Sequence, residues 1–285
     1  MKVLITGAGG QLGRSLLASA PAGATCHAFD RSNLDLADQG AIERVVSAIR
    51  PDLVINAAAY TAVDRAEGDA EQAFAVNARA PEAFARSLAG TQARLVQIST
   101  DFVFDGACGT AYKPEDRKNP QSVYGLTKSA GEDGAGPEAV IVRTSWVYGA
   151  GGNNFVRTML RLMQERDEIR VVADQIGSPT WVGDLARTVW ALAARAPSGI
   201  YHHRDAGIAS WYDFATAIAE EGRRAGLLAK LPSIRPISSA DYPTPAKRPP
   251  FSVLDVSKTR ELLGDAHVHW RTNLIKMLEE EKTFG

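Results

Sequence analysis

The first half of the chain repeats one hydrophobic pattern: a short apolar run, a turn of small or polar residues, then a stretch with apolar residues three and four positions apart. Such alternation predicts βαβ units around a parallel sheet whose strands are buried on both faces. The predicted strands are residues 2–6, 24–29, 53–56, 95–99 and 140–143, and the predicted helices are 11–20, 41–49, 70–88 and 122–131. The pattern indicates an α/β fold with a Rossmann-type doubly wound parallel sheet.

The alternation loosens after about residue 150. Residues 155–166, 184–194, 212–225 and 274–281 still have helical spacing. Six prolines in residues 231–250 exclude a regular helix or a central strand there and predict a wrapping loop or a linker. We expect residues 1–150 to form a dinucleotide-binding domain that also receives parts of 169–225. Residues 151–285 are expected to form mainly a smaller C-terminal substrate-binding domain, interleaved with the first.

Composition excludes several classes of protein. The 285 residues carry 32 basic and 33 acidic side chains, so no global positive field is available to hold a nucleic acid or an anionic membrane. The two cysteines have no C-x-x-C spacing and favour a reducing compartment. No apolar run reaches the length of a membrane span. We therefore expect a cytoplasmic protein with neither a nucleic-acid nor a membrane partner.

A glycine-rich turn follows the first predicted strand. Gly7, Gly10 and Gly13 form a G-x-x-G-x-x-G variant of the dinucleotide fingerprint, which allows a tight turn and lets a pyrophosphate approach the next helix. Asp30 ends the second predicted strand, where a carboxylate can bind an adenosine ribose, and Arg31 beside it could hold a 2′-phosphate. NAD and NADP both remain open, and the alternative is a structural turn followed by a surface Asp–Arg pair.

A tyrosine, a lysine and a hydroxyl suggest an acid catalyst. Tyr124 and Lys128 are four residues apart and share one helix face, where an ammonium can stabilise a phenolate. Ser99 and Thr100 end the fourth predicted strand, at the sheet edge that carries the chemistry of such folds. The alternative is a capped turn beside an amphipathic helix. The dinucleotide turn predicted on the same sheet favours catalysis.

Further segments match in order along most of the chain. They are residues 7–13, NAAAYTAVD at 56–64, STDFVF at 99–104, YGxTK at 124–128, RTSWVY at 143–148, NNF at 153–155 and DQxGxPT at 174–180. On these segments the chain resembles the extended short-chain dehydrogenase/reductase family. Within that family it is similar to the branch that acts on the 4-keto group of dTDP-linked deoxysugars.

The resemblance implies that Tyr124 donates a proton, that Lys128 binds the nicotinamide ribose and lowers the tyrosine pKa, and that Thr100 polarises the carbonyl. Asp101 and Trp146 would contact the dTDP-sugar substrate. The implied contacts to NADPH or NADH, besides the glycines, Tyr124 and Lys128, are Gln11, Leu12, Asp30, Asp35, Leu36, Ala59, Tyr60 and Thr61. The implied activity is reduction of dTDP-4-dehydro-L-rhamnose to dTDP-L-rhamnose, a precursor of cell-surface polysaccharides.

The chain departs from the family pattern at several positions. Phe102 stands where some members have tyrosine, and Phe251 where an asparagine is common. Arg14 and Ser15 occupy a region where some members carry a carboxylate for a divalent ion at a dimer contact, so a metal and a homodimer stay open.

The five histidines, His27, His202, His203, His267 and His269, form no helix-spaced ligand pair, and we predict no metal site from them. Two other functions remain open. One is a sugar-nucleotide epimerase or dehydratase that recycles a tightly bound NAD. The other is a non-catalytic, NADP-binding regulatory subunit.

Overall fold

The computed structural model describes residues 1–264 and 268–284, so His267 lies outside the described residues. The strands are β1 Lys2–Thr6, β2 Thr25–Phe29, β3 Leu53–Asn56, β4 Arg94–Thr100, β5 Val140–Thr144, β6 Val147–Tyr148, β7 Glu168–Val172, β8 Ile176–Gly177, β9 Thr180–Trp181, β10 Gly199–His202, β11 Ala209–Ser210 and β12 Ser233–Ile237. The α-helices are α1 Gln11–Ala18, α2 Gln39–Ile49, α3 Val63–Ala66, α4 Ala70–Phe74, α5 Ala80–Leu88, α6 Val123–Ala135, α7 Phe155–Glu165, α8 Val182–Arg195, α9 Trp211–Arg224, α10 Ser257–Leu263 and α11 Trp270–Glu281. A π-helical turn spans Ala75–Arg79, and 3-10 turns span Asp101–Val103 and Ser239–Asp241.

The central sheet has six parallel strands in the order β2-β1-β3-β4-β5-β10. The five predicted strands are all present, with ends within one residue of those expected, and the Rossmann-type doubly wound fold is confirmed. The sixth strand, β10, was missed. After β1 the chain first forms β2 on one side of it and then β3 on its other side. This reversal of direction opens a crevice at the carboxyl ends of β1 and β3.

Two apolar layers cover the sheet. Val3 and Ile5 of β1 pack with residues of α1 and α8 on one face, whereas Leu4 packs with residues of α2 and α5 on the other. This division follows from the period of two along a strand, which sends neighbouring side chains to opposite faces. The layers hold the strand ends, and the loops that follow them, in fixed positions.

The helix predicted over residues 70–88 is present as α4, the π turn and α5 in direct succession, and the π turn within it was not predicted. Asn77 in this turn is buried, and its side chain bonds the backbone of Tyr60 and the hydroxyl of Thr127. The extra residue of a π turn directs this amide inward, where its polar atoms find partners. Periodicity alone does not reveal such an insertion.

A further apolar cluster, separate from the two layers on the sheet, lies in the later part of the chain. It packs α7, α9 and α11 together through buried residues such as Met163, Phe214 and Leu274. The proline-rich segment contributes β12, which pairs in parallel with β7 in a separate two-stranded sheet. The described segment 231–250 thus holds an edge strand and one 3-10 turn but no α-helix or central strand, and the edge strand was missed. No helix in the described part of the chain is long and apolar enough to cross a membrane.

Candidate active site

A cleft of about 1000 Å³ lies at the carboxyl ends of the central strands. The structure brings all of the predicted catalytic, cofactor-binding and substrate-binding residues to this one cleft. They are Gly7, Gly10, Gln11, Leu12, Gly13, Asp30, Asp35, Leu36, Ala59, Tyr60, Thr61, Thr100, Asp101, Tyr124, Lys128 and Trp146.

The glycine turn is built so closely that side chains would not fit. Gly7 has φ +69°, and a Cβ there would lie 2.8 Å from the backbone nitrogen of Ala58 in the loop after β3. A Cβ on Gly13 would lie 2.1 Å from the Gly7 carbonyl oxygen. Helix α1 begins without a side-chain cap, so its first N–H groups are available to an anion at the cleft. This arrangement fits a dinucleotide pyrophosphate.

Directly after β2 the cleft is lined by one acidic and one basic residue, Asp30 and Arg31. Asp30 accepts hydrogen bonds from the backbone nitrogen and hydroxyl of Ser32, at 2.8 and 2.5 Å, and these bonds lower the pKa of Asp30. Arg31 is exposed and lines the cleft. An ionised carboxylate and a guanidinium here fit the adenosine ribose of a dinucleotide, with or without a 2′-phosphate.

Side chains from other segments hold the loop after β3. The Asn77 amide accepts a hydrogen bond from the Tyr60 backbone nitrogen at 2.8 Å and donates one to the Tyr60 carbonyl at 3.1 Å. The Tyr60 hydroxyl donates to Asp69 at 2.9 Å. The sequence reasoning missed Asn77 as the residue that positions Tyr60, and its signal is an amide side chain within the apolar run of residues 73–78.

Helix α6 brings Tyr124 and Lys128 to the end of β4. Ser122 caps this helix by accepting from the backbone nitrogen of Gly125 at 3.2 Å. The Lys128 ammonium is buried and donates to the Ile98 carbonyl at 2.6 Å. The Thr100 hydroxyl donates to Asp101 at 2.9 Å and is also within hydrogen-bonding reach of the Tyr124 phenol.

Burial governs the charges of this group. Burial raises the pKa of Tyr124 to about 12, and the neighbouring Thr100 hydroxyl opposes this rise. It lowers the pKa of Lys128 to about 8, against the attraction of Glu132, and raises that of Asp101 to about 6. The lowered tyrosine pKa expected from Lys128 is not found in the protein alone, because desolvation of the phenol outweighs other effects. Tyr124 is therefore fully protonated at neutral pH and able to act as an acid.

Ser99 is turned away from this chemistry. Its hydroxyl donates to the buried carboxylate of Glu132 at 2.5 Å. That carboxylate also receives two hydrogen bonds from the buried guanidinium of Arg143, at 2.8 and 2.7 Å. This ion pair ties α6 to β4 and β5, and the sequence reasoning did not identify it as a pair. Of the two candidate hydroxyls, Thr100 is the one beside Tyr124.

The positions that depart from the family pattern have structural partners. Phe102 packs edge-on against Tyr124, with ring centroids 5.5 Å apart. Phe251 packs in a small apolar cluster around Phe104. Arg14 donates to the Gly9 carbonyl at 2.8 Å, and Ser15 to the Val182 carbonyl at 3.2 Å. Within residues 1–264 and 268–284, no group of three or more His, Cys, Asp or Glu side chains could hold a metal ion.

Comparison with known proteins supplies the family. Residues 1–283 match the RmlD substrate binding domain family. A dTDP-4-dehydrorhamnose reductase of Aggregatibacter actinomycetemcomitans is 41% identical over 96% of this chain and 97% of its own. A crystal structure of a dTDP-4-dehydrorhamnose reductase from Clostridium acetobutylicum has TM-score 0.92 at 39% identity, covering 99% of this chain and 100% of the other.

A second crystal structure, of the Bacillus anthracis dTDP-4-dehydrorhamnose reductase in complex with NADP, has TM-score 0.91 at 37% identity. It covers 98% of this chain and 99% of the other. These matches extend over nearly the full length of both partners, so they include the cleft as well as the sheet. The chain belongs to the RmlD substrate binding domain family.

Proposed function

We propose that this protein reduces the 4-keto group of dTDP-4-dehydro-L-rhamnose with NADPH or NADH, giving dTDP-L-rhamnose. The observation that carries the proposal is that Tyr124, Lys128 and Thr100 lie in the same cleft as the glycine turn. Full-length similarity to dTDP-4-dehydrorhamnose reductases, one of them solved with NADP, supports the substrate and the cofactor.

The side chains account for the proton and the developing charge. A reduced nicotinamide bound in the cleft supplies the hydride to the ketone carbon. As the C=O bond becomes a single bond, Thr100 donates a hydrogen bond to the oxygen and Tyr124 transfers a proton to it. The ketone gains one hydride and one proton, and the cofactor leaves oxidised. Lys128 binds the nicotinamide ribose and stabilises the phenolate that remains.

The later part of the chain supplies the cover for the substrate. Trp211 and Arg248, from this later part, line the cleft together with Trp146 and the residues that would hold the dinucleotide. We therefore keep the division into a dinucleotide-binding part, residues 1–150, and a mainly substrate-binding part, residues 151–285. β10 belongs by sequence to the second part and by pairing to the sheet of the first, which agrees with interleaving. A homodimer remains a prediction, which light scattering at the assay concentration tests.

The testing experiment follows NADPH and NADH absorbance with dTDP-4-keto-6-deoxy-L-mannose. We expect one cofactor oxidised per dTDP-L-rhamnose formed, and the Tyr124→Phe variant to lose at least about a hundredfold in kcat while its affinity for NADP is retained. Tyr242→Phe, at an exposed tyrosine outside the cleft, is the matched control and should retain full activity.

The same assay separates the other two functions. An epimerase or dehydratase would convert the sugar with no net oxidation of added cofactor. A regulatory subunit would bind NADP and show no turnover. Either result would contradict the proposal.

A further inference from the structure

Trp146 has an unusual backbone conformation for a bulky residue. Its φ is +46°, and Arg50 is the other non-glycine residue with positive φ in the described part of the chain. Arg50 ends helix α2 in the left-handed conformation, a common way for a helix to stop. Trp146 ends no helix. It lies between β5 and β6 at the cleft, where a strained conformation persists only if its surroundings hold it.

Two neighbours hold the Trp146 indole. Trp211 stacks on it, with ring centroids 3.6 Å apart and planes 7° from parallel. Gly177 contacts it from another segment, because a Cβ on Gly177 would lie 2.5 to 2.7 Å from three atoms of the indole. The indole therefore occupies space that any larger residue at position 177 would take.

The two neighbours are themselves fixed together. β8 and β11 pair antiparallel, with Gly177 opposite Ala209, and Trp211 begins α9 two residues later. Ser210 caps that helix in a reciprocal arrangement with Asp213. On the other side, the Thr180 backbone nitrogen donates to the Trp146 carbonyl at 3.1 Å. The segment that contains Gly177 and Thr180 thus holds both the backbone and the ring of Trp146.

We propose that Gly177 and Trp211 are positioning residues that hold the Trp146 indole as a preformed contact surface for the nucleotide part of the substrate. This inference rests on the proposed function, in which Trp146 touches the sugar nucleotide. It also gives a physical role to the glycine of the DQxGxPT segment at 174–180, which the catalytic group leaves unexplained.

The test combines spectroscopy with kinetics on Gly177→Ala and Trp211→Ala. Two closely stacked indoles couple their electronic transitions, which gives paired circular dichroism bands of opposite sign. We expect both variants to lose this pair and to raise KM for the dTDP-keto sugar about tenfold, with KM for NADPH and kcat within about twofold of the wild type. Gly109→Ala, on a loop with open space around that glycine, and Trp190→Phe, at a buried indole in another cluster, are the controls.

A second variant keeps the inference testable if either replacement unfolds the protein. Trp211→Phe retains a ring against Trp146 but removes the indole pair, so it should lose the paired bands while KM for the sugar changes less than in Trp211→Ala. Equal KM values for the sugar in wild type and Gly177→Ala, or a parallel rise of both KM values, would overturn the inference.

The two proposals can fail separately. If the wild type reduces no keto sugar, the proposed function fails, and the affinity for dTDP measured by calorimetry decides this inference alone. A roughly tenfold loss of dTDP affinity in Gly177→Ala supports the positioning role. An unchanged affinity overturns it.

Discussion

Arg248 in the proline-rich segment forms a two-point ion pair with Asp64, 184 residues earlier in the chain, through hydrogen bonds of 2.9 and 2.7 Å. Its guanidinium also donates to the Ala246 carbonyl at 3.1 Å. Ala246 in turn donates its backbone N–H to Asp64 at 3.2 Å. Asp64 therefore anchors both the segment and the arginine that this segment presents to the cleft.

This pairing predicts a selective effect of Asp64→Asn. The amide cannot offer two charged oxygens to the guanidinium, so the segment should be held less firmly. Because the pair is partly exposed, we expect a modest change, about a fivefold rise in KM for the sugar nucleotide, with KM for NADPH unchanged. Asp167→Asn, at an exposed ion pair with Lys230, is the control. Equal effects on both KM values would contradict this account of Asp64.

Lys128 predicts an alkaline limit to activity. Burial lowers its pKa to about 8, so the free enzyme loses the ammonium charge as pH rises through 8. We expect kcat/KM for NADPH to fall above pH 8, because the neutral amine neither binds the ribose as well nor stabilises the Tyr124 phenolate. In Lys128→Arg, which stays charged, this decline should disappear even if the rate is lower. A wild-type profile that stays flat to pH 10 would be evidence against the role of Lys128.

Arg31 predicts a contact that NADPH makes through its 2′-phosphate and NADH lacks. Its side chain lines the cleft beside Asp30 and makes no ion pair or hydrogen bond within residues 1–264 and 268–284, so it is free to bind a 2′-phosphate. We expect Arg31→Ala to raise KM for NADPH about tenfold and to leave KM for NADH unchanged. Arg44→Ala, at a surface arginine paired with Asp38, should change neither. A similar loss with both cofactors would show that Arg31 does not read the 2′-phosphate.

Asp205 predicts a pH dependence of stability. It is buried, and burial raises its pKa to about 7, although Asn273 and nearby cations oppose the shift. The native state thus binds this proton more tightly than the unfolded state, and the resulting stabilisation is lost as pH rises from about 4 through 7. Asp205→Asn should therefore gain in free energy of unfolding relative to the wild type between pH 4 and pH 8, by an amount on the order of 4 kcal/mol.

Urea denaturation at several pH values measures this change. Asp52→Asn, at an exposed carboxylate that bonds the Lys2 backbone nitrogen, provides a surface comparison and should show no such gain. A constant difference between Asp205→Asn and the wild type at all pH values would contradict the buried-proton explanation.

The central sheet was predictable because its strands are buried on both faces and read as apolar runs. β6, β8, β9 and β11 have two residues each, which is too short for any periodicity to appear. β10 begins with Gly199 and contains Tyr201 and His202, so its four residues lack the β-branched run that marked the other strands. The edge position of β12 allowed Pro236 to occur inside a strand.

The parts of the site that could be predicted are those encoded locally. The glycine turn lies within seven residues, and Tyr124 and Lys128 are separated by one helical turn. Asn77, Trp211 and Arg248 act through partners that are distant in sequence, such as Trp146 for Trp211. No local spacing identifies such a residue, because its role depends on which segments the fold brings together.

The π turn at Ala75–Arg79 adds one residue to a long helix. Each residue of an α-helix turns by about 100°, so the second half is rotated by about that angle from where a regular helix would place it. Gln72, before the turn, lines the cleft, whereas Phe84, after it, is buried in the apolar layer that contains Leu4. Deleting one residue here would give a more regular helix with its two halves out of phase. The π turn thus sets the rotation between the two halves of the helix, so that one half faces the binding cleft and the other packs in the protein core.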